Sequence, residues 1–163
     1  MLKKNKLTVF LILIIVVTGF IFSNSIKNSE ESHASSGVIV QLVEPVFENT
    51  MEPDTVSFIV RKCAHIAEFF ALGFLVLSAT SETKKKHMQF IGFGFFYVLL
   101  VAVTDEYIQS FSDRTSSVSD VLIDFAGAML GFCGCILLNS LIKTISQRLS
   151  NKEKKVENNG RGN

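Results

Sequence analysis

Four apolar runs, each close to the length of a helix that crosses hydrocarbon, divide this chain of 163 residues. A bilayer core takes about 20 residues of α-helix. The runs cover 7–23, 61–81, 88–107 and 121–142. Hydrophobic residues make up 48% of the chain and fall in these blocks, with only two Pro in all. A backbone in lipid must satisfy its own polar groups, so such blocks fold as helices. The expected fold is an all-α integral membrane protein, a four-transmembrane-helix bundle.

The basic residues orient it, because cytoplasmic flanks carry an excess of Lys and Arg. Lys3, Lys4 and Lys6 precede the first run, Lys84, Lys85 and Lys86 follow the second, and Lys143, Arg148, Lys152, Lys154 and Lys155 follow the fourth. The stretch 23–60 holds Lys27 against Glu30, Glu31, Glu44, Glu48, Glu52 and Asp54. Every flank agrees with a multi-pass cell-membrane protein with cytoplasmic N- and C-termini. Residues 1–6 then form a basic cytoplasmic start, 7–145 the membrane domain and 146–163 a polar cytoplasmic tail. The tail, SNKEKKVENNGRGN from Ser150, has the composition of a disordered segment. The first run has a rival reading as a cleaved signal peptide, with Ser23-Asn24-Ser25 after it. No Ala-x-Ala follows the run, and retention as an anchor is the expectation. In the outer loop, Val38, Ile39, Leu42, Val43, Val46 and Phe47 share one helical face, interrupted by Pro45. A surface amphipathic segment and an apolar patch of a packed loop both fit.

The net charge of +1 gives no footprint for nucleic acid. Cys63, Cys133 and Cys135 are odd in number and lack ligand spacing. They read as small packing residues of helices.

Ionisable residues gather where three of the runs meet the outer surface. Arg61, Lys62, His65 and Glu68 open the second run, Asp105, Glu106 and Gln109 close the third, and Arg114, Asp120 and Asp124 lead into the fourth. Charges at membrane depth are costly and mark function by default. Glu68 lies roughly 10 Å deeper than Arg61 at 1.5 Å per residue. Arg61, His65 and Glu68 form one helical stripe, and Asp105 and Gln109 share a face. Asp120, Asp124, Gly127 and Gly131 form another stripe, whose glycines permit close helix approach. A structural ion-pair network is the plainest reading of the cluster. It sets Arg61, Lys62, His65 and Arg114 against Glu68, Asp105, Glu106, Asp120 and Asp124; snorkelling into headgroups is a separate alternative for Lys62, and Ser117-x-x-Asp120 fits a capping box. A metal is not expected, and neither is a cofactor. Although His65, Glu68, Glu106 and Asp124 are ligand types, carboxylate-bridged bundle sites use a Glu-x-x-His from each of two helices, and this chain has no such pair. Acid–base chemistry at His65 and anion binding by Arg61 or Arg114 are the sharper alternatives. No activated Ser or Cys is evident, so catalytic residues are not assigned.

The segments RKCAHIAEFFALG (61–73) and DEYIQSFSDRTSSVSDVLIDFAGAMLG (105–131) resemble the VanZ-like family of small bacterial membrane proteins. The family pattern D-E-x-x-Q, an Arg, D-x-x-x-D and a small-residue run with two Gly stands here in full. The Ser-rich stretch 23–36 is also similar. The shared motif maps onto Arg61, Lys62, His65, Glu68, Asp105, Glu106, Gln109, Arg114, Asp120 and Asp124. Ser112-Asp113 stands where many relatives have Pro-Gly before the Arg, a departure that concerns the turn. The resemblance implies a cell-envelope protein associated with lowered sensitivity to the glycopeptide teicoplanin, without rewriting of the cell-wall precursor. Its partners would be the lipid bilayer and a cell-wall or lipid-linked component on the outer face. Two other classes stay open: a membrane-embedded hydrolase or transferase acting on lipid-linked substrates, and a structural or partner-binding protein. A transporter fits least, because no broken-helix repeat is present.

Overall fold

The computed structural model describes residues 2–26, 53–82, 87–111 and 116–160. Arg114, the segment 38–47 and the basic turn 84–86 lie outside them. The described residues form four α-helices, α1 (Leu2–Ile26), α2 (Pro53–Ser81), α3 (His87–Gln109) and α4 (Val118–Gly160). Each contains a stretch long and apolar enough to cross a membrane: Lys6–Ile26, Phe58–Ser81, Gln89–Gln109 and Val118–Lys152.

The spans match those expected from sequence, but two helices run longer. α2 starts at Pro53 rather than near residue 61. Proline suits a first helical position because its missing N–H would have no helical partner there. The added turns bury Val56. α4 continues through the segment whose composition suggests disorder and ends at Gly160. Nucleation is the expensive step of helix formation, and here it is complete upstream. The extension contains Lys, Glu, Gln and Arg, good helix formers, and meets no Gly or Pro before Gly160.

α2 is the hub, packed against α1, α3 and α4. α3 also touches α1 and α4. The core runs through Ile14 and Ile21 of α1, Phe69, Leu72 and Val76 of α2, Val98, Val101 and Ala102 of α3, and Ala128, Phe132 and Cys135 of α4. Phe95 meets Phe132 edge to face, with ring centroids 4.9 Å apart. Thr18 and Tyr97 share a hydrogen bond of 2.8 Å between α1 and α3. Many large apolar side chains point outward instead, among them Ile15, Phe93, Phe96, Leu130 and Leu137. Water would penalise such a surface, whereas lipid tails accept it.

Glycine makes the α2–α4 crossing possible. A Cβ on Gly73 would overlap the Ala128 carbonyl, and one on Gly131 the Phe70 carbonyl. One on Gly127 would stand 2.9 Å from the Ile66 carbonyl oxygen. The inward stripe expected for Gly127 and Gly131 is therefore the contact face of α4, and Gly73 supplies the answering gap on α2. Cys135 is buried, with its Sγ 3.3 Å from Ser78 Oγ, while Cys63 and Cys133 are exposed. All three are free thiols.

Candidate functional site

All four helices deliver polar side chains to the same end of the bundle. α1 and α3 finish there, while α2 and α4 begin there. Asp105, Glu106, Gln109 and Asp124 are 0%, 5%, 7% and 3% exposed, so these groups lie between helices rather than against lipid. A carboxylate in such a setting needs hydrogen-bond donors, a counter-charge or a proton.

Asp105 is the most enclosed. Ser25 of α1 donates its hydroxyl to Asp105 Oδ1. Gln109, one turn further along α3, donates from Nε2 to Asp105 Oδ2 at 2.8 Å. The i, i+4 spacing that put these two residues on one face thus becomes a direct contact. His65 Nδ1 stands 3.8 Å from Asp105 Oδ2 and 4.0 Å from Glu68 Oε2. Glu68 is held from its other oxygen by Asn24 Nδ2 at 2.8 Å. His65, Asp105 and Asp124 each offer a donor atom within 4.8 Å of the others. Asp124 Oδ2 is buried and has no hydrogen-bond partner among the described residues.

The rim is organised separately. Lys62 forms an ion pair with Asp120 across the α2–α4 contact rather than the alternative headgroup contact. Its ammonium also lies 5.5 Å from the centre of the Phe58 ring. Ser117 caps α4, accepting the Ser119 N–H on its hydroxyl at 3.0 Å. The second half of a capping box would run from the Asp120 side chain to the Ser117 N–H. Instead Glu106 of α3 accepts that N–H at 3.1 Å. A residue from another helix thus completes the cap, while Asp120 turns to Lys62.

The structure therefore gathers Lys62, His65, Glu68, Asp105, Glu106, Gln109, Asp120 and Asp124. Arg61 is half-buried and forms no ion pair among the described residues. Sequence reasoning missed Asn24 and Ser25, which hold Glu68 and Asp105. Ile14, Ile21 and Ser25, at i, i+7 and i+11, form one buried stripe of α1, which only the structure reveals. The arrangement can take up a proton at His65, bind a cation among the carboxylates, or hold a polar group entering from the bundle end.

No curated protein and no solved structure matches the chain. The sequence profile of the VanZ/LLP1 family matches residues 10–139, which takes in every residue of this layer from Asn24 to Asp124. With most of its length matched, including all the helices that build the polar layer, the chain belongs to the VanZ/LLP1 family.

Proposed function

We propose that this is a VanZ-like cell-envelope protein whose polar layer faces outward and binds or modifies a cell-surface component, lowering sensitivity to glycopeptides such as teicoplanin. One observation carries the reading: Asp105, Glu106 and Asp124 are buried together at a single end of an apolar bundle. Burying three carboxylates costs stability that an apolar core would not lose, so a purely structural role leaves them unexplained. The basic flanks at Lys3, Lys4, Lys6 and after Ile142 favour an outward position for that end. Family membership supports the envelope role.

The test is teicoplanin and vancomycin susceptibility in a sensitive Gram-positive host expressing wild type, Glu106→Gln or Asp105→Asn, with membrane abundance measured alongside. Protection by wild type that is lost in equally abundant variants is the expected result. Protection that survives both substitutions would sink the site. Absence of protection by abundant wild type would sink the glycopeptide role.

His65, between Glu68 and Asp105, favours a second reading, a hydrolase or transferase acting on lipid-linked substrates. An imidazole can serve as general acid or base toward a group bound beside it. Purified protein incubated with envelope lipid extracts would then convert a lipid-linked species, and His65→Gln would abolish the conversion. Unchanged extracts across broad lipid classes would count against catalysis.

A further inference from the structure

We propose that His65, Asp105 and Asp124 form a binding site for a divalent transition-type cation, Zn²⁺ or Mn²⁺. The proposal goes beyond the glycopeptide reading and stands without it. A second histidine on a Glu-x-x-His is absent, which makes a two-metal carboxylate site unattractive. One imidazole with two carboxylates from three helices is a different donor set, suited to a single ion with open positions.

Three observations converge on it. The first is geometric: the donor atoms of the three residues lie within 4.8 Å of one another, with His65 Nδ1 at 3.8 Å from Asp105 Oδ2. Ligands of a tetrahedral Zn²⁺ at about 2.0–2.1 Å from the ion are roughly 3.4 Å apart, so side-chain rotations of about 1 Å close the set. The second is Asp124, 3% exposed, whose buried Oδ2 has no hydrogen-bond partner among the described residues. Native proteins seldom leave such an atom unanswered. The third is the supporting shell. Metal-binding carboxylates are themselves oriented by outer hydrogen bonds, and Asp105 has them from Ser25 and Gln109.

Charge agrees with geometry. Glu68, Asp105, Glu106 and Asp124 converge here, and His65, 4.0 Å from Glu68 and 3.8 Å from Asp105, brings at most one positive charge. Lys62 is engaged at the rim by Asp120. A divalent ion supplies two positive charges where the carboxylates are densest. Imidazole in the donor set favours Zn²⁺ over Mg²⁺ and Ca²⁺, which prefer all-oxygen shells, while the two carboxylates suit Mn²⁺.

The experiment is metal titration of the full chain, purified without a histidine tag, stripped with chelator and reconstituted in nanodiscs. ZnCl₂ and MnCl₂ are the probes, read by elemental analysis after desalting and by the shift in melting temperature. CoCl₂ serves as a spectroscopic substitute that reports a nitrogen ligand. The expected result is about one ion per chain, a raised melting temperature, and at least ten-fold weaker binding in Asp124→Asn and His65→Gln. Glu82→Gln, at the opposite end of the bundle, keeps wild-type binding. Folded wild type that retains no ion and shows no shift overturns the proposal, as does undiminished binding in Asp124→Asn. If either variant fails to fold, the wild-type stoichiometry and the cobalt spectrum decide alone. Binding without any glycopeptide phenotype keeps this site and removes the proposed function, whereas a phenotype without binding does the reverse.

Discussion

Ser25, at the end of α1, donates its hydroxyl to Asp105, near the end of α3, and so ties the first helix to the centre of the polar layer. The bond links residues 80 positions apart between two helices that run in the same direction. Ser25→Ala removes a donor from a fully buried carboxylate, a loss of about 1–3 kcal/mol. The expected outcome is a lower melting temperature in detergent with unchanged helix content by circular dichroism. An unchanged melting temperature would mean that α1 does not support Asp105. Removal of α1 by a signal peptidase would take this donor away, so the mass of the mature chain tests the same relationship.

Close packing at the α2–α4 crossing makes its glycines intolerant. Gly131→Val and Gly73→Val drive side chains into the Phe70 and Ala128 carbonyls, both of them backbone atoms. Overpacking costs about 1–3 kcal/mol or more where the backbone must move. Both variants are expected to accumulate poorly in membranes. Gly19→Ala and Gly92→Ala meet nothing within 4 Å and are expected to match wild type. Immunoblots of membrane fractions compare all four, and equal abundance throughout would refute the tight crossing.

Glu106 separates a hydrogen bond from a charge. Glu106→Gln keeps an oxygen for the Ser117 N–H and removes only the charge, whereas Glu106→Ala removes both. Loss of a helix cap typically costs about 1 kcal/mol. Thermal denaturation is expected to rank wild type and Gln close together and Ala lower. Equal melting temperatures for Gln and Ala would show that the contact with Ser117 contributes nothing.

The Lys62–Asp120 pair is partly exposed, with side chains 27% and 17% accessible. Such pairs are worth little, typically under about 1 kcal/mol, because solvent screens them. A double-mutant cycle with Lys62→Met and Asp120→Asn is expected to give a coupling within that bound that shrinks in high salt. A coupling several times larger would move this pair from the rim into the working site.

Orientation is testable with cysteine labelling in a chain where Cys63, Cys133 and Cys135 are replaced by Ala. Ser116→Cys, beside the polar layer, is expected to react with an impermeant maleimide added to intact cells. Ser150→Cys is expected to react only after lysis. The opposite pattern would turn the polar layer toward the cytoplasm.

The four spans were legible because hydropathy is a property of single residues summed over a window, and lipid-facing helices satisfy it without knowledge of their neighbours. The Gly127 and Gly131 stripe was legible for a similar reason, since small residues at i, i+4 mark a contact face wherever the partner lies. Pairings across helices were not. Lys62 belonged to the charged cluster by sequence, but nothing in its own helix shows that Asp120, and not another acid or a headgroup, stands opposite. Glu106 as the cap of α4 depends on where α3 ends in space, which local spacing does not encode. Asn24 and Ser25 were hidden by context: a small polar run after an apolar stretch resembles a cleavage site as much as a helix end. The length of α4 escaped because composition registers solubility, while continuation of an existing helix depends on propagation alone.

That long helix has a mechanical consequence. α4 holds 43 residues without an internal proline, about 64 Å at 1.5 Å per residue. Hydrocarbon accounts for about 30 Å of that. The remainder is length that a membrane crossing does not need, on the same helix that carries Asp124 near its start. Because that length is one continuous helix, a twist or pull applied to its C-terminal half would be carried along a single hydrogen-bonded ladder toward Asp124.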